Sequence, residues 1–348
     1  VKELNLTSGK LRDLLLKDEN NESIYCRTLL VYTDNELWIG TESGVYIYNL
    51  RTEKYTHLRS SEYDPYSLSD NAIYSFCKDR EDGIWIGSYF GGVNYYPRSY
   101  TYFEKYYPKG IENSLHGKRV REFCRDSQGI LWIGTEDGGL NRFNLKTKDF
   151  SFFAPSAGFT NIHGLCLVDD KLWVGTFSKG LKIIDTRTGT VLKTYQKNSS
   201  PRSLIDNSIF AICRTATGDI YLGTMFGLVK YNKQSDDFDR IPELNGKFVY
   251  DIKEDSGGNI WLATYANGAY CYNVNDRKWK NYVHDEKDTT SLSYNKVSSI
   301  FEDSYHRIWL TTQGGGFCLF HPESETFTSY NSTDGLPSDV VYQIVEDK

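Results

Sequence analysis

Leu131-Trp132-Ile133-Gly134-Thr135 decides the fold of this chain, because the same stretch returns along its whole length. It recurs as Leu37-Trp38-Ile39-Gly40-Thr41, Ile84-Trp85-Ile86-Gly87-Ser88, Leu172-Trp173-Val174-Gly175-Thr176 and Ile220-Tyr221-Leu222-Gly223-Thr224. Ile260-Trp261-Leu262-Ala263-Thr264 and Ile308-Trp309-Leu310-Thr311-Thr312 complete the series. Successive anchors lie 47, 47, 41, 48, 40 and 48 residues apart. Self-similarity at that period marks a repeat architecture, in which one supersecondary unit is copied and stacked. Positions shared by every copy serve the scaffold; positions that differ are where function can lie.

Around Trp132 the unit reads as four short strands. Val120 to Cys124 is closed by the turn Asp126-Ser127-Gln128-Gly129, and Ile130 to Thr135 returns. After Glu136-Asp137-Gly138-Gly139 comes Leu140 to Asn144, then the turn Lys146-Thr147-Lys148 and Phe150 to Phe153. Such strands with turn residues between them form an antiparallel meander, here lettered A to D. One sheet cannot bury both faces, but sheets arranged radially can, each face meeting a neighbour. The expected fold is all-β: a seven-bladed β-propeller of four-stranded antiparallel blades, with partial blades at both ends from a longer array. Residues 1–20 read as the C and D strands of a preceding blade, the latter from Lys10 to Leu16. Residues 21–338 read as the propeller and 339–348 as the A strand of a following blade.

Composition agrees. Of 348 residues 15% are aromatic, with 29 Gly and a single Met, a mix that favours pleated strands and tight turns. The formal net charge of −6 argues against nucleic acid, whose backbone calls for clustered Lys and Arg. No run of about 20 apolar residues spans a membrane, and no signal peptide opens the sequence. Cys77, Cys124, Cys166 and Cys213 each precede an anchor by seven or eight residues. Equivalent positions on successive blades do not oppose one another, so these read as buried free thiols.

The units resemble the two-component regulator propeller repeats, of the form I/V-x-x-I-x-x-D-x-x-G-x-L/I-W-I/V-G-T-x-x-G-G-L. Gly335-Leu336-Pro337-Ser338-Asp339-Val340-Val341 is similar to the loop that precedes such a repeat. The resemblance covers essentially the whole chain; Tyr221 in place of Trp, and Ala263 and Thr311 in place of Gly, are its departures. It implies a periplasmic sensor region of a hybrid two-component system, best known from gut Bacteroidetes. There the repeats precede an Ig-like Tyr-rich domain, a membrane helix and a histidine kinase, and the implied ligand is an oligosaccharide released from a complex glycan.

The D-to-A and B-to-C connections share one end of each blade, the top. They diverge between copies, whereas the bottom turns resemble one another. Starts of the A strands carry Tyr74, Arg121, His163, Phe210, Tyr250, Ser298 and Tyr342, and the B-to-C loops carry Tyr89, Phe90, Glu136, Phe177, Phe226 and Tyr265. Aromatic faces among Arg, Asn and Glu suit a sugar, stacking on its C–H faces and satisfying its hydroxyls. The expected ligand-binding set is Tyr74, Tyr89, Phe90, Arg119, Arg121, Glu136, His163, Phe177, Phe226, Tyr250 and Tyr265. Long copies carry Ser67-Leu68, Ser114-Leu115, Ser203-Leu204 or Ser291-Leu292 in the D-to-A loop; the copies of Trp173 and Trp261 lack it. The rim is therefore expected to be lower beside His163 and Tyr250.

No phosphate loop, metal-binding His pair, nucleophile elbow or Cys/His cluster is present. Neither catalysis, a cofactor nor a metal is expected. The chemistry left is a periplasmic sensor that binds an oligosaccharide and is linked to a membrane kinase, with a homodimer compatible. Protein docking is the alternative, and a propeller lyase using Glu136, Asp137 or Glu122 the third reading.

Overall fold

A computed structural model describes residues 1–14, 17, 23–98, 104–153, 158–159 and 161–347. The chain divides into two compact units, Val1–Gly110 and Ile111–Lys348.

In the first unit β1 (Lys2–Leu4) and β2 (Leu11–Asp13) form an antiparallel pair; Leu15 and Leu16, expected to extend β2, lie outside the described residues. A four-stranded sheet follows: β3 (Cys26–Thr33), β4 (Glu36–Thr41), β5 (Gly44–Asn49) and β6 (Tyr55–Leu58). Next come β7 (Ile73–Lys78), β8 (Ile84–Ser88) and β9 (Val93–Tyr96), three paired strands among the described residues.

The second unit holds five four-stranded sheets. They are β10 (Val120–Arg125), β11 (Ile130–Thr135), β12 (Gly139–Asn144) and β13 (Phe150–Phe153), then β14 (Ile162–Val168), β15 (Lys171–Thr176), β16 (Leu181–Asp185) and β17 (Val191–Tyr195). Next are β18 (Ile209–Arg214), β19 (Ile220–Thr224), β20 (Gly227–Asn232) and β21 (Asp237–Arg240), and β22 (Val249–Glu254), β23 (Ile260–Thr264), β24 (Ala269–Asn273) and β25 (Lys278–Tyr282). The last comprises β26 (Val297–Glu302), β27 (Ile308–Thr312), β28 (Phe317–His321) and β29 (Thr326–Tyr330). The all-β architecture of repeated antiparallel blades is as expected, with one sheet for each copy of the motif.

The packing explains the motif. Trp132, Trp173, Tyr221 and Trp261 each lie in the apolar layer between their own sheet and the next. Trp38 does the same in the first unit, against Phe76 at 6.0 Å and Tyr96 at 4.9 Å. The glycine allows that approach: a Cβ on Gly134 would meet Ile162 at 2.6 Å, and one on Gly175 would meet Ile209 at 2.7 Å. The threonine closes the B-to-C turn, as Thr135 Oγ1 donates to the Gly139 carbonyl at 2.9 Å and Thr176 Oγ1 to that of Gly180 at 2.9 Å. Most indole N–H groups donate to a carboxylate of the A-to-B hairpin, Trp132 to Asp126 at 3.0 Å and Trp261 to Asp255 at 2.9 Å. That carboxylate also accepts two backbone N–H groups of its own turn, from Gln128 and Ile130 in the case of Asp126.

Three expectations are corrected. All seven cysteines are free thiols, but Cys77 is exposed and Cys124, Cys166 and Cys213 are only half-buried. Phe76 turns to Trp38, so Cys77 points to the opposite face of its sheet, which no other sheet of that unit covers among the described residues. The segment from Asp339 forms no strand among the described residues. Strands exist by pairing, and the single pairing there is the bridge from Val340 to Gln313. The Ser-Leu segments do not stand up as a rim: Leu68, Leu115, Leu204 and Leu292 are buried, and Ser203 Oγ closes its loop onto the carbonyls of Asn198 and Ser200. The short copies keep an equivalent plug in Phe159 and Leu244, both buried.

Candidate functional site

Each A strand begins with a register shift that skips one residue of the ladder. The skipped residues are Arg27, Tyr74, Arg121, His163, Phe210, Tyr250 and Ser298. A bulge of this kind leaves its residue unpaired and re-aims the side chain. Six of the seven strand starts named from sequence thus share one local cause, and Arg27, which was missed, joins them. The signal was available, since Arg27 precedes Trp38 by the same eleven residues that separate Arg121 from Trp132.

In the second unit these side chains meet. Arg121 Nη1 lies 3.2 Å from Glu136 Oε1, and Nη2 donates to the Tyr250 hydroxyl at 3.1 Å. The second bond joins β10 to β22 across two intervening sheets, so the A strands converge on a common centre. Arg121 stands 5.4 Å from the Tyr250 ring and 6.0 Å from that of Phe210. Around it the rings run on: His163 to Phe210 at 4.7 Å, His163 to Phe177 at 5.7 Å, Phe210 to Phe248 at 4.4 Å, and Phe248 stacked on Tyr265 at 5.3 Å. Lys296 lies 4.2 Å from the Tyr265 ring, at the edge of a hollow of about 340 Å³ formed with His284, Tyr294 and Asn295. Phe248 and Lys296 were not among the residues expected from sequence. Arg119 is exposed, 4.0 Å from Glu136. Phe226, also expected, is exposed and makes no ring contact with the cluster.

The electrostatics are unusual for a protein surface. His163 is only 6% exposed, beneath Phe177 and Phe210 rather than beside an open rim. Burial, and then the Arg121 guanidinium, push its pKa down to about 4. One ring nitrogen sits 2.6 Å from Asn161 Oδ1. Next to Arg121, burial pushes Glu122 up to about 8, with Arg121 opposing and Asp251 reinforcing the shift. His163 Nδ1, Arg121 Nε and Ser298 Oγ are buried without a hydrogen-bond partner among the described residues. Buried polar atoms in native proteins are nearly always paired, and these three lie on the strand starts of three different sheets.

The first unit carries its own group. Arg27 pairs with Glu42 and lies 4.3 Å from the Tyr74 ring, which stacks on Tyr89 at 5.0 Å and 19°. Phe90 meets Tyr89 edge-on at 4.3 Å and is 86% exposed, its backbone N–H held by Asp70 at 2.8 Å.

Residues 67–90, 114–137, 243–266 and 291–314 match the family model described as Two component regulator propeller. They are two-component regulator propeller repeats. Each match begins at the loop plug, Leu68, Leu115, Leu244 or Leu292, and runs through the bulge and the anchor into the B-to-C turn, so the repeat includes the whole geometry above. Over 179 residues the chain is 27% identical to histidine kinase P4 of Formosa agariphila, covering 49% of this chain and 13% of that protein. The crystal structure of an extracellular domain assigned to a one component system of B. thetaiotaomicron superposes over 95% of the chain and 51% of its own length, at 17% identity and a TM-score of 0.51. A second extracellular domain, assigned to a hybrid two component system of the same organism, gives 97% and 50%, at 22% identity and a TM-score of 0.48. The chain spans about half the length of these domains and a small part of the kinase.

Proposed function

We propose that these propeller repeats form the ligand-sensing part of a hybrid two-component system, held outside the cytoplasmic membrane and linked to a histidine kinase. The ligand is an oligosaccharide derived from a glycan, and the signal is its binding. The observation that carries this reading is the convergence of Arg121, Tyr250, Phe210 and His163 on the bulged starts of four A strands. Beside this group the exposed rings of Phe177 and Tyr265 supply stacking faces, while the part-exposed Arg121 and Glu136 supply polar groups. A few oriented polar groups on an aromatic surface are what a sugar ring requires. The histidine kinase relative and the extracellular neighbours agree with this use.

Isothermal calorimetry against a panel of defined glycan fragments tests it. Saturable binding without product formation, weakened at least tenfold by Arg121→Ala, is the expected result. Turnover would replace the reading by an enzyme, and no binding by any fragment would remove the sugar. One observation favours protein docking as the second reading: Tyr74, Tyr89 and Phe90 form an exposed aromatic platform in the first unit. In that case a co-purifying protein would be lost on Phe90→Ser.

A further inference from the structure

A large cleft of the second unit lies at the opposite end of its sheets from the residues above. It occupies about 870 Å³ between β14–β17 and β18–β21, beside the A-to-B turns. That volume is within the range of small-molecule sites. Its wall contains Trp173, the one tryptophan anchor whose indole N–H meets no carboxylate among the described residues. Trp38 donates to Glu36 at 2.7 Å, Trp85 to Asp79 at 3.1 Å and Trp309 to Asp303 at 2.9 Å, alongside the Trp132 and Trp261 pairs already described.

The local sequence explains the exception. The hairpin before Trp173 is the tight turn Asp169-Asp170, without the Asp-x-x-Gly loop that supplies Asp126 or Asp255. Asp169 instead faces Arg214 at 3.1 Å, and the Asp170 carbonyl accepts from Thr186. The first repeat has an equally short turn, but there Glu36, two residues before the anchor, supplies the carboxylate. Lys171 occupies that position before Trp173, on the same side of its strand. A cation thus stands where a sister blade has an anion. Trp173 is only 3% exposed, and its N–H has no partner among the described residues. The other charges nearby do not supply one: Asp219 holds Lys230 at 2.7 Å and Asp239 holds Arg202 at 3.0 Å, while Lys171 and Lys233 have no acidic partner among the described residues.

We propose that this cleft binds a carboxylate on a body the size of a sugar acid, its carboxyl group taking the Trp173 N–H and the Lys171 ammonium. The carboxyl group would fill the role that Glu36 or Asp126 plays for its own anchor, and such charge-assisted bonds are the stronger kind. Apolar contact comes from Ile183, Leu192 and Tyr231, which line the same cleft. This site is separate from the oligosaccharide site proposed above and does not rest on it.

The test follows the Trp173 indole resonance in a proton–nitrogen correlation spectrum at low salt, assigned by its loss in Trp173→Phe. D-Glucuronate should move it downfield and saturate. Its neutral methyl ester should not, and acetate should bind at least tenfold more weakly. Lys171→Gln should weaken glucuronate about tenfold. Lys171→Glu recreates the Glu36–Trp38 pair, so the indole should be shifted downfield without ligand and be indifferent to glucuronate. An unmoved resonance, an equal response to the ester, or glucuronate binding that survives Lys171→Glu would overturn the site. Acetate matching glucuronate would overturn the sugar-acid ligand. Because the readout is local to Trp173, it succeeds or fails independently of glycan binding at the other end.

Discussion

Trp132 and Trp85 hold the same place in the repeat and differ in environment. Trp132 is fully buried between two sheets of its unit, whereas Trp85 is 46% exposed on the last sheet of its own. Trp132→Ala should therefore cost about 3–5 kcal/mol in urea unfolding, and Trp85→Ala less than half as much, because its surface is not removed from water within its unit. Titration is the second residue-scale consequence. His163 falls from its usual 6.5 to about 4, so between those values the unfolded chain takes up a proton that the folded one refuses. Stability is lost as pH drops through that window. Glu122 rises from 4.5 to about 8, so the folded chain keeps a proton that the unfolded chain has released. That contribution is fully present below about 4.5 and is lost as pH rises through about 8. The two contributions oppose each other between about 4.5 and 6.5, and Glu122 alone acts from there to about 8. Unfolding midpoints should therefore fall from about pH 6.5 to about 8; Glu122→Gln should remove that fall, and His163→Gln should extend it down to about 4.5.

At the scale of elements, the strands around each anchor were legible because two-residue alternation and turn chemistry are local. Val120 to Phe153 came out as four strands within a residue of the expected bounds. The Asp339 segment carries the same local pattern, but among the described residues it pairs only through the bridge from Val340 to Gln313. The Ser-Leu loops were misread because a loop sequence does not tell whether its leucine points inward. Since Leu204 is fully buried, Leu204→Ala should cost about 2–5 kcal/mol, which a thermal melt would detect. A close approach predicts another effect. Gly134→Ala places a methyl group 2.6 Å from Ile162, so it should destabilise by about 1–3 kcal/mol, and Ile162→Val should recover part of the loss in a double-mutant cycle.

For the molecule as a whole, the repeat count and the all-β architecture were determined by the sequence alone. A motif copied at near-constant spacing requires the same apolar layer each time, and that is a local property. The residue classes at the strand starts were legible too, because each bulge lies ten or eleven residues before its anchor. Which of them touch was decided only by the tertiary structure. Arg121 and Tyr250 are 129 residues apart and belong to sheets separated by two others, and nothing in either local sequence encodes their hydrogen bond. Burial was likewise beyond the sequence: His163 reads as an accessible rim residue until Phe177 and Phe210 close over it. The Trp173 cleft combines both sources. The missing carboxylate and the lysine in its place are written in the sequence. That they face a space large enough for a ligand depends on how two neighbouring sheets splay, which is a matter of three-dimensional packing.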